Sequence, residues 1–155
     1  MKRFHFPLRP VAILRAHQQA RAREIFAAAV SEYGKAWDRL AALQARQRDL
    51  EARMQAGRRT IYRAADEVSA LAAYHGTCTE VTKADQAVTA ARAVMDERRE
   101  QYLEAHRAVK VVDKLELKAR TAYRQEVERE SQIELDEMAG FRVARRLAAS
   151  TIASS

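Results

Sequence analysis

The stretch FAAAVSEYGKAWDRLAALQARQRDL, residues 26–50, decides the fold because its apolar residues recur at alternating steps of three and four. This spacing places them along one side of an α-helix, in the heptad pattern that predicts a coiled-coil seam. The pattern continues toward residue 71 and is weakened at Gln47 and Gly57. The first predicted seam consists of Phe26, Ala29, Tyr33, Ala36, Leu40, Leu43, Leu50, Met54, Ile61, Ala64, Val68 and Leu71.

A second seam follows in the next part of the chain and is interrupted at Arg98. Its members are Val81, Ala84, Val88, Ala91, Met95, Tyr102, Ala105, Val109 and Val112. Large apolar side chains are few in both seams, so neither helix buries much surface alone and pairing must supply the stability. The sequence therefore predicts an all-α fold, a long antiparallel two-helix coiled-coil hairpin that forms one domain over residues 1–155.

Two places could hold the turn between the helices. Gly76 followed by Thr77, with a glutamate three positions later, has the pattern of a helix end and a capping box. Gly57 and Thr60 carry a weaker version of the same signal. Local chemistry alone favours the first place, and the sequence pattern leaves both open.

The two turn positions predict different helix lengths. Helix 1 would begin at about residue 8 and end at about 56, with a turn at 57–60, or at 75, with a turn at 76–79. In either case helix 2 would reach about residue 147. The remaining residues, 148–155, are small and polar, and we expect them to fray.

Composition supports long helices. Alanine accounts for 32 of the 155 residues, charged residues for 32% and aromatic residues for 6%, and no proline follows Pro10. The formal charge is +7, made up of +8 in residues 1–60 and −1 in residues 61–155. Basic and acidic residues alternate in the first part, as on a solvated coiled-coil flank, although a surface for nucleic acid or lipid stays open.

The chain has one cysteine, Cys78, which excludes an intrachain disulfide and fits a reducing compartment. The longest apolar runs are far shorter than the roughly 20 residues that a membrane helix needs. Charges and prolines break the first residues before a signal-peptide pattern can form. We therefore expect a cytoplasmic protein.

The second seam fails after Val112, where the next heptad positions include Glu116, Glu126 and Glu130. Residues 124–137 contain six acids and two arginines, a local charge of −4. Such a helix has little to bury against its own chain. It is either a solvated helix end or a helix whose partner is another protein.

The sequence offers no catalytic or metal-binding motif. Its four histidines have no spacing that would join them to one another or to cysteine or carboxylate ligands. It contains neither a phosphate-binding glycine loop nor a nucleophile elbow. We expect no enzyme, no cofactor and no metal. The aromatic residues have seam spacing and do not form a stacking platform on a basic face, so nucleic acid is not expected either.

Three motifs give the chain a resemblance to a known family. The first is FHFPLRPVAILR, residues 4–15, and the second joins Glu104 and Ala105 to the stretch KVVDKL, residues 110–115. The third is Glu130 followed by ELDE, residues 134–137. Their order and spacing resemble the FliJ family of flagellar type III export proteins. The chain departs from the family pattern at Ala12, Asp113 and Ile133. In the family the turn lies nearer 57–60 than 76–79.

The resemblance implies a cytoplasmic coiled coil similar to the central stalk of rotary ATPases, peripheral to the inner membrane at the flagellar base. Its implied partners are the export ATPase FliI, the regulator FliH, the export gate protein FlhA and export chaperones. It also implies that the carboxyl-terminal end of helix 2 enters the ATPase ring and that the turn faces the gate. The residues implied to contact the ring are Glu126, Glu128, Glu130, Glu134, Leu135, Asp136, Glu137 and Met138.

Two other functions remain compatible with the residues alone. One is a basic coiled coil that binds nucleic acid through residues 1–60, and the other is a generic scaffold whose seam forms a homodimer. The first predicts DNA binding that weakens steeply with salt. The second predicts a mass that depends on concentration.

Overall fold

The computed structural model describes residues 3–59 and 63–153, with side chains up to Arg146. Helix α1 spans Arg9–Gly57, 49 residues, and helix α2 spans Ala64–Ala153, 90 residues. The described residues contain no strand, and the two helices pack against each other. The predicted all-α, antiparallel two-helix hairpin is confirmed.

Contacts divide the chain into two compact units, and the single domain stays a prediction. We call Arg15–Arg107 the hairpin unit, because it contains the chain reversal. We call Met1–Leu14 together with Ala108–Ser155 the terminal unit.

Polar pairs define the antiparallel register of the hairpin unit. The Gln19 side chain lies 2.7 Å from His106 Nδ1, Gln47 Nε2 donates to Cys78 Sγ over 3.4 Å, and the Tyr74 hydroxyl donates to Glu51 over 2.8 Å. In each pair the two residue numbers add up to 125. The register therefore stays constant along the unit, as expected for two regular helices side by side.

The core of the hairpin unit is narrow. Leu40 is 2% exposed and packs with Ala84 and Val88. Half-buried residues surround this cluster, namely Tyr33, Ala36, Leu43 and Val81. Further along, the rings of Phe26 and Tyr102 stack with centroids 6.1 Å apart. Two other predicted seam residues of this unit, Leu50 and Met95, are half-buried, as is Val109 in the terminal unit.

α1 ends at Gly57 and α2 begins at Ala64, so the chain reverses between them. Thr60 lies outside the described residues. The alternative turn at Gly76 and Thr77 is wrong, since both residues lie inside α2. Thr77 is 3% exposed, and its hydroxyl donates to the Ala73 carbonyl within the helix. Thr77 therefore does not cap a helix, and its side chain is buried in the seam between the helices.

Two further expectations need correction. Val68 and Leu71 are 69% and 44% exposed, because the chain has already reversed and the seam of α1 does not continue through them. Ala70 and Tyr74 take the half-buried positions in this part of α2. α2 also reaches Ala153, beyond the end expected near residue 147. Residues 148–153 contain neither glycine nor proline, so nothing in them stops a helix.

In the terminal unit, the residues before α1 pack against α2. Phe6 and Val112 are each 7% exposed. The ring centroids of Phe4 and Tyr123 are 5.5 Å apart. The guanidinium carbon of Arg120 lies 5.5 Å from the centroid of the Phe4 ring. Pro10 fits the first turn of α1, where its missing N–H has no helical acceptor. No described helix contains an apolar stretch that could cross a membrane.

Candidate protein-docking surface

The candidate site is the part of α2 that follows its last half-buried residue, Val127. Half-buried residues recur along α2 at Glu116, Ala119, Tyr123 and Val127. From residue 128 to residue 146 every residue is exposed. This stretch of helix has no buried face within the unit, although its side chains include several large apolar groups.

The heptad positions explain where packing stops. Counting on from Tyr123, the seam would pass through Glu126, Glu130 and Glu137. A carboxylate buried in an apolar seam loses its hydration without gaining a partner, which is costly. The apolar coiled-coil seam therefore does not continue through this part of α2. Its helical conformation depends on residues with high helix propensity, such as alanine, leucine, glutamate and arginine.

Charge divides the exposed stretch into two parts. The acidic segment, residues 124–137, contains six acids and two arginines, a net charge of −4. The basic segment, residues 138–146, contains three arginines and no acid, a net charge of +3. A strongly acidic surface thus adjoins a strongly basic one on the same helix.

Large apolar side chains lie among these charges. Phe141 is 76% exposed, Leu135 60%, Met138 55% and Val143 57%. Leu135, Met138 and Arg142 also line one shallow depression of the surface. Scattered exposed apolar residues are common on proteins, but four within nine residues of one helix are typical of an interaction site.

All eight residues that the resemblance implies to contact a partner lie on α2 between residues 126 and 138 and are exposed: Glu126, Glu128, Glu130, Glu134, Leu135, Asp136, Glu137 and Met138. Glu126, Glu130, Glu134 and Glu137 follow at steps of four, four and three, so they share one side of the helix. Asp136 is held by its own helix, since Gln132 Nε2 donates to Asp136 Oδ1 over 3.1 Å.

Sequence reasoning missed the basic segment. Phe141, Arg142, Arg145 and Arg146 are exposed and continue the same surface, but they follow Gly140 and carry no heptad pattern. It also missed the contacts of Phe4 with Tyr123 and Arg120, which lie just before the acidic segment. The net charge of +3 over nine residues is the sequence signal that could have identified the basic segment.

The described residues contain no cluster of histidine, cysteine and carboxylate side chains that could hold a metal ion. One shifted pKa among the described residues lies in the hairpin unit. The pKa of the Tyr74 hydroxyl is raised, because it donates a hydrogen bond to Glu51 and loses that bond on ionising. This bond joins α1 and α2 within the hairpin unit.

Comparison with known proteins gives one match. A family model described as flagellar FliJ protein matches residues 4–148. Neither the curated proteins nor the solved structures contain a match to this chain.

Proposed function

This chain belongs to the flagellar FliJ family, and from that premise we propose that it is the stalk-like coiled coil of the export ATPase complex. The resemblance drawn from the sequence motifs is confirmed. Membership makes the chain a component of the flagellar export apparatus. Its proposed role there is to promote assembly of the ring of the export ATPase FliI, which FliH regulates.

The exposed carboxyl-terminal part of α2 carries the proposal. A stalk must present a helix whose surface is left for the ring, and residues 128–146 are exposed on all sides. Glu126, Glu130, Glu134 and Glu137 form an acidic stripe suited to basic loops that line a ring. Leu135 and Met138 lie next to this stripe and supply apolar anchors.

The mechanism is a difference in affinity. A chain that binds the assembled ring more tightly than free ATPase subunits shifts the equilibrium toward the ring. At a concentration about a hundred times its dissociation constant from the ring, this shift amounts to about 2.7 kcal/mol. No bond chemistry is assigned to the stalk, because binding alone supplies the effect.

The same proposal includes coupling of the ring to the export gate protein FlhA and escort of unloaded export chaperones. Both partners would hold the chain at the cytoplasmic side of the inner membrane, at the flagellar base. The family relationship supports these roles.

The proposed ring contact can be tested by reversing two neighbouring acids, Asp136→Lys and Glu137→Lys, and measuring ATP turnover by the cognate export ATPase at several protein ratios. Both residues are exposed, so the hairpin should stay folded. We expect half-maximal stimulation to need roughly ten times more variant than parent chain, since two attractive contacts become repulsive. Electron microscopy of the same mixtures reports ring assembly.

A matched control is available in the hairpin unit. Asp96 and Glu97 are also adjacent, exposed acids on α2. Asp96 forms an ion pair with Arg92 one turn away, and Asp136 accepts a hydrogen bond from Gln132 one turn away. Asp96→Lys with Glu97→Lys changes the total charge equally and should leave stimulation unchanged. Equal stimulation by the folded 136/137 variant and the parent chain would remove the acidic contact. Absence of stimulation by the parent chain would remove the stalk role.

A further inference from the structure

Like charges are neighbours along the exposed part of α2. Residues three and four positions apart are adjacent on a helix surface. Glu134 has Glu130 and Glu137 at these distances, and Arg142 has Arg145 and Arg146. Neither residue has an opposite charge within reach along its own helix. A partner with a charge opposite to that of Glu134 and of Arg142 would therefore be favoured beside each of these two residues.

The two segments are complementary to each other when one copy of the helix is reversed. Glu134 lies four residues before Met138 and Arg142 lies four residues after it. With a rise of about 1.5 Å per residue, both lie about 6 Å from Met138 along the axis, in opposite directions. An antiparallel second copy centred on Met138 therefore brings Arg142 of that copy level with Glu134.

The centre of this arrangement is apolar. Leu135, Met138 and Phe141 follow at steps of three and are 60%, 55% and 76% exposed. Reversal about Met138 exchanges Leu135 with Phe141, so each packs near the other across the pair. The arrangement thus has an apolar middle with charged pairs on both sides, which is the usual anatomy of a protein interface.

We propose that two copies of this chain pair through residues 128–146 of α2, antiparallel and centred on Met138, with Glu134 of each copy opposite Arg142 of the other. Two-fold symmetry makes the contact self-complementary and closed at two copies. A lipid surface is the other occupant with the right chemistry for three arginines and a phenylalanine. The adjoining acids disfavour it, because they repel anionic head groups within about 10 Å.

The pairing would cover Glu134, one of the acids of the proposed ring contact. A second copy and the ATPase ring would therefore compete for this surface of α2. That consequence rests on the proposed function. Self-pairing itself does not, because it is tested on the chain alone without ATPase.

The test is sedimentation equilibrium of the full chain at low and high salt, for the parent, Glu134→Arg, Arg142→Glu and the double variant that exchanges the two charges. Each single variant places like charges opposite each other twice, and we expect self-association at least about tenfold weaker. The double variant restores both pairs and should associate as the parent does. Glu100→Arg, an exposed acid in the hairpin unit, is the control and should have no effect.

Crosslinking locates the contact. With Cys78→Ser as background, Met138→Cys places one thiol at the centre of the pair and Val143→Cys places it about 140° away around the helix. The two positions are almost equally exposed, at 55% and 57%, so intrinsic reactivity is matched. Met138→Cys should oxidise to a covalent dimer much faster than Val143→Cys.

Several results would overturn the proposal. A mass that stays monomeric up to the highest soluble concentration excludes the pairing. Association that survives both single reversals would place the contact elsewhere, and failure of the exchanged double variant to recover would rule out the Glu134 and Arg142 pair. Equal crosslinking at 138 and 143 would contradict the register. Binding to anionic vesicles with no self-association would assign the surface to lipid.

Discussion

Truncation of Leu40 to alanine should destabilise the hairpin unit more than any other single leucine change in α1. Leu40 is 2% exposed and lies at the centre of the cluster with Ala84 and Val88. The substitution leaves the helix intact, because alanine is the best helix former. Any loss of stability therefore reports the packing between the two helices.

The magnitude follows from the atoms removed. Leucine to alanine deletes three carbons, and each buried carbon contributes about 0.8 kcal/mol, or about 2.4 kcal/mol together. A small cavity adds to this, since neither Ala84 nor Val88 is long enough to fill it. We expect the free energy of unfolding to fall by about 3 kcal/mol. Leu71→Ala, at a residue 44% exposed, should cost about 1 kcal/mol or less.

Urea unfolding followed by far-ultraviolet circular dichroism measures both variants. The midpoint should move while the slope with denaturant stays the same, because the surface exposed on unfolding hardly changes. A loss below about 1 kcal/mol for Leu40→Ala, or a loss equal to that of Leu71→Ala, would mean that the cluster does not hold the helices together.

Three other changes have definite expected outcomes. Thr77→Val should be neutral or stabilising by up to about 1 kcal/mol in urea unfolding, because the buried hydroxyl bonds a carbonyl of its own helix; clear destabilisation would contradict this. Tyr74 should ionise above its usual pKa in an absorbance titration, and Glu51→Gln should lower that pKa. The stability that the bond contributes is fully present below the unfolded pKa, near 10, and is lost as pH rises through the higher folded pKa. An unshifted pKa of Tyr74 would refute the bond. Phe6→Ala should speed hydrogen exchange in the first turn of α1, whereas Leu8→Ala, at a residue 39% exposed, should do so much less.

The sequence predicts the seam well because large apolar residues at heptad spacing have few alternatives. Tyr33, Leu40 and Val88 lie in or against the core, as their spacing predicts. The turn is harder, because the local signal at Gly76 is better than the one at Gly57. A turn at 76–79 would bring Phe26 opposite Arg129, whereas the observed register stacks Phe26 on Tyr102. Pairing over a long sequence distance decides the turn, and no local window contains that information.

The sequence predicts one part of the candidate site, the exposed acidic segment, and does not predict the contacts of Phe4 or the exposure of Phe141. Exposure of the acidic segment follows from glutamates at seam positions such as Glu137, which has no basic residue one turn away to pair with if buried, whereas the half-buried Glu116 accepts hydrogen bonds from Arg120. Just before the acidic segment, Phe4 contacts Tyr123 and Arg120 from outside any helix. Such a contact has no periodicity, so no pattern in the sequence announces it. The exposure of Phe141 is likewise a result of the three-dimensional structure.

The bond between Gln47 and Cys78 has a practical consequence. Cys78 is the one cysteine of the chain, and it lies half-buried between the helices with its sulfur accepting from Gln47 Nε2. The neighbouring helix covers part of this sulfur, so local separation of the helices should speed its reaction with a thiol reagent. The alkylation rate of the unmodified chain therefore responds to opening of the hairpin, with no engineered probe. Comparing that rate with and without a binding partner would show whether the partner clamps or loosens the helix pair.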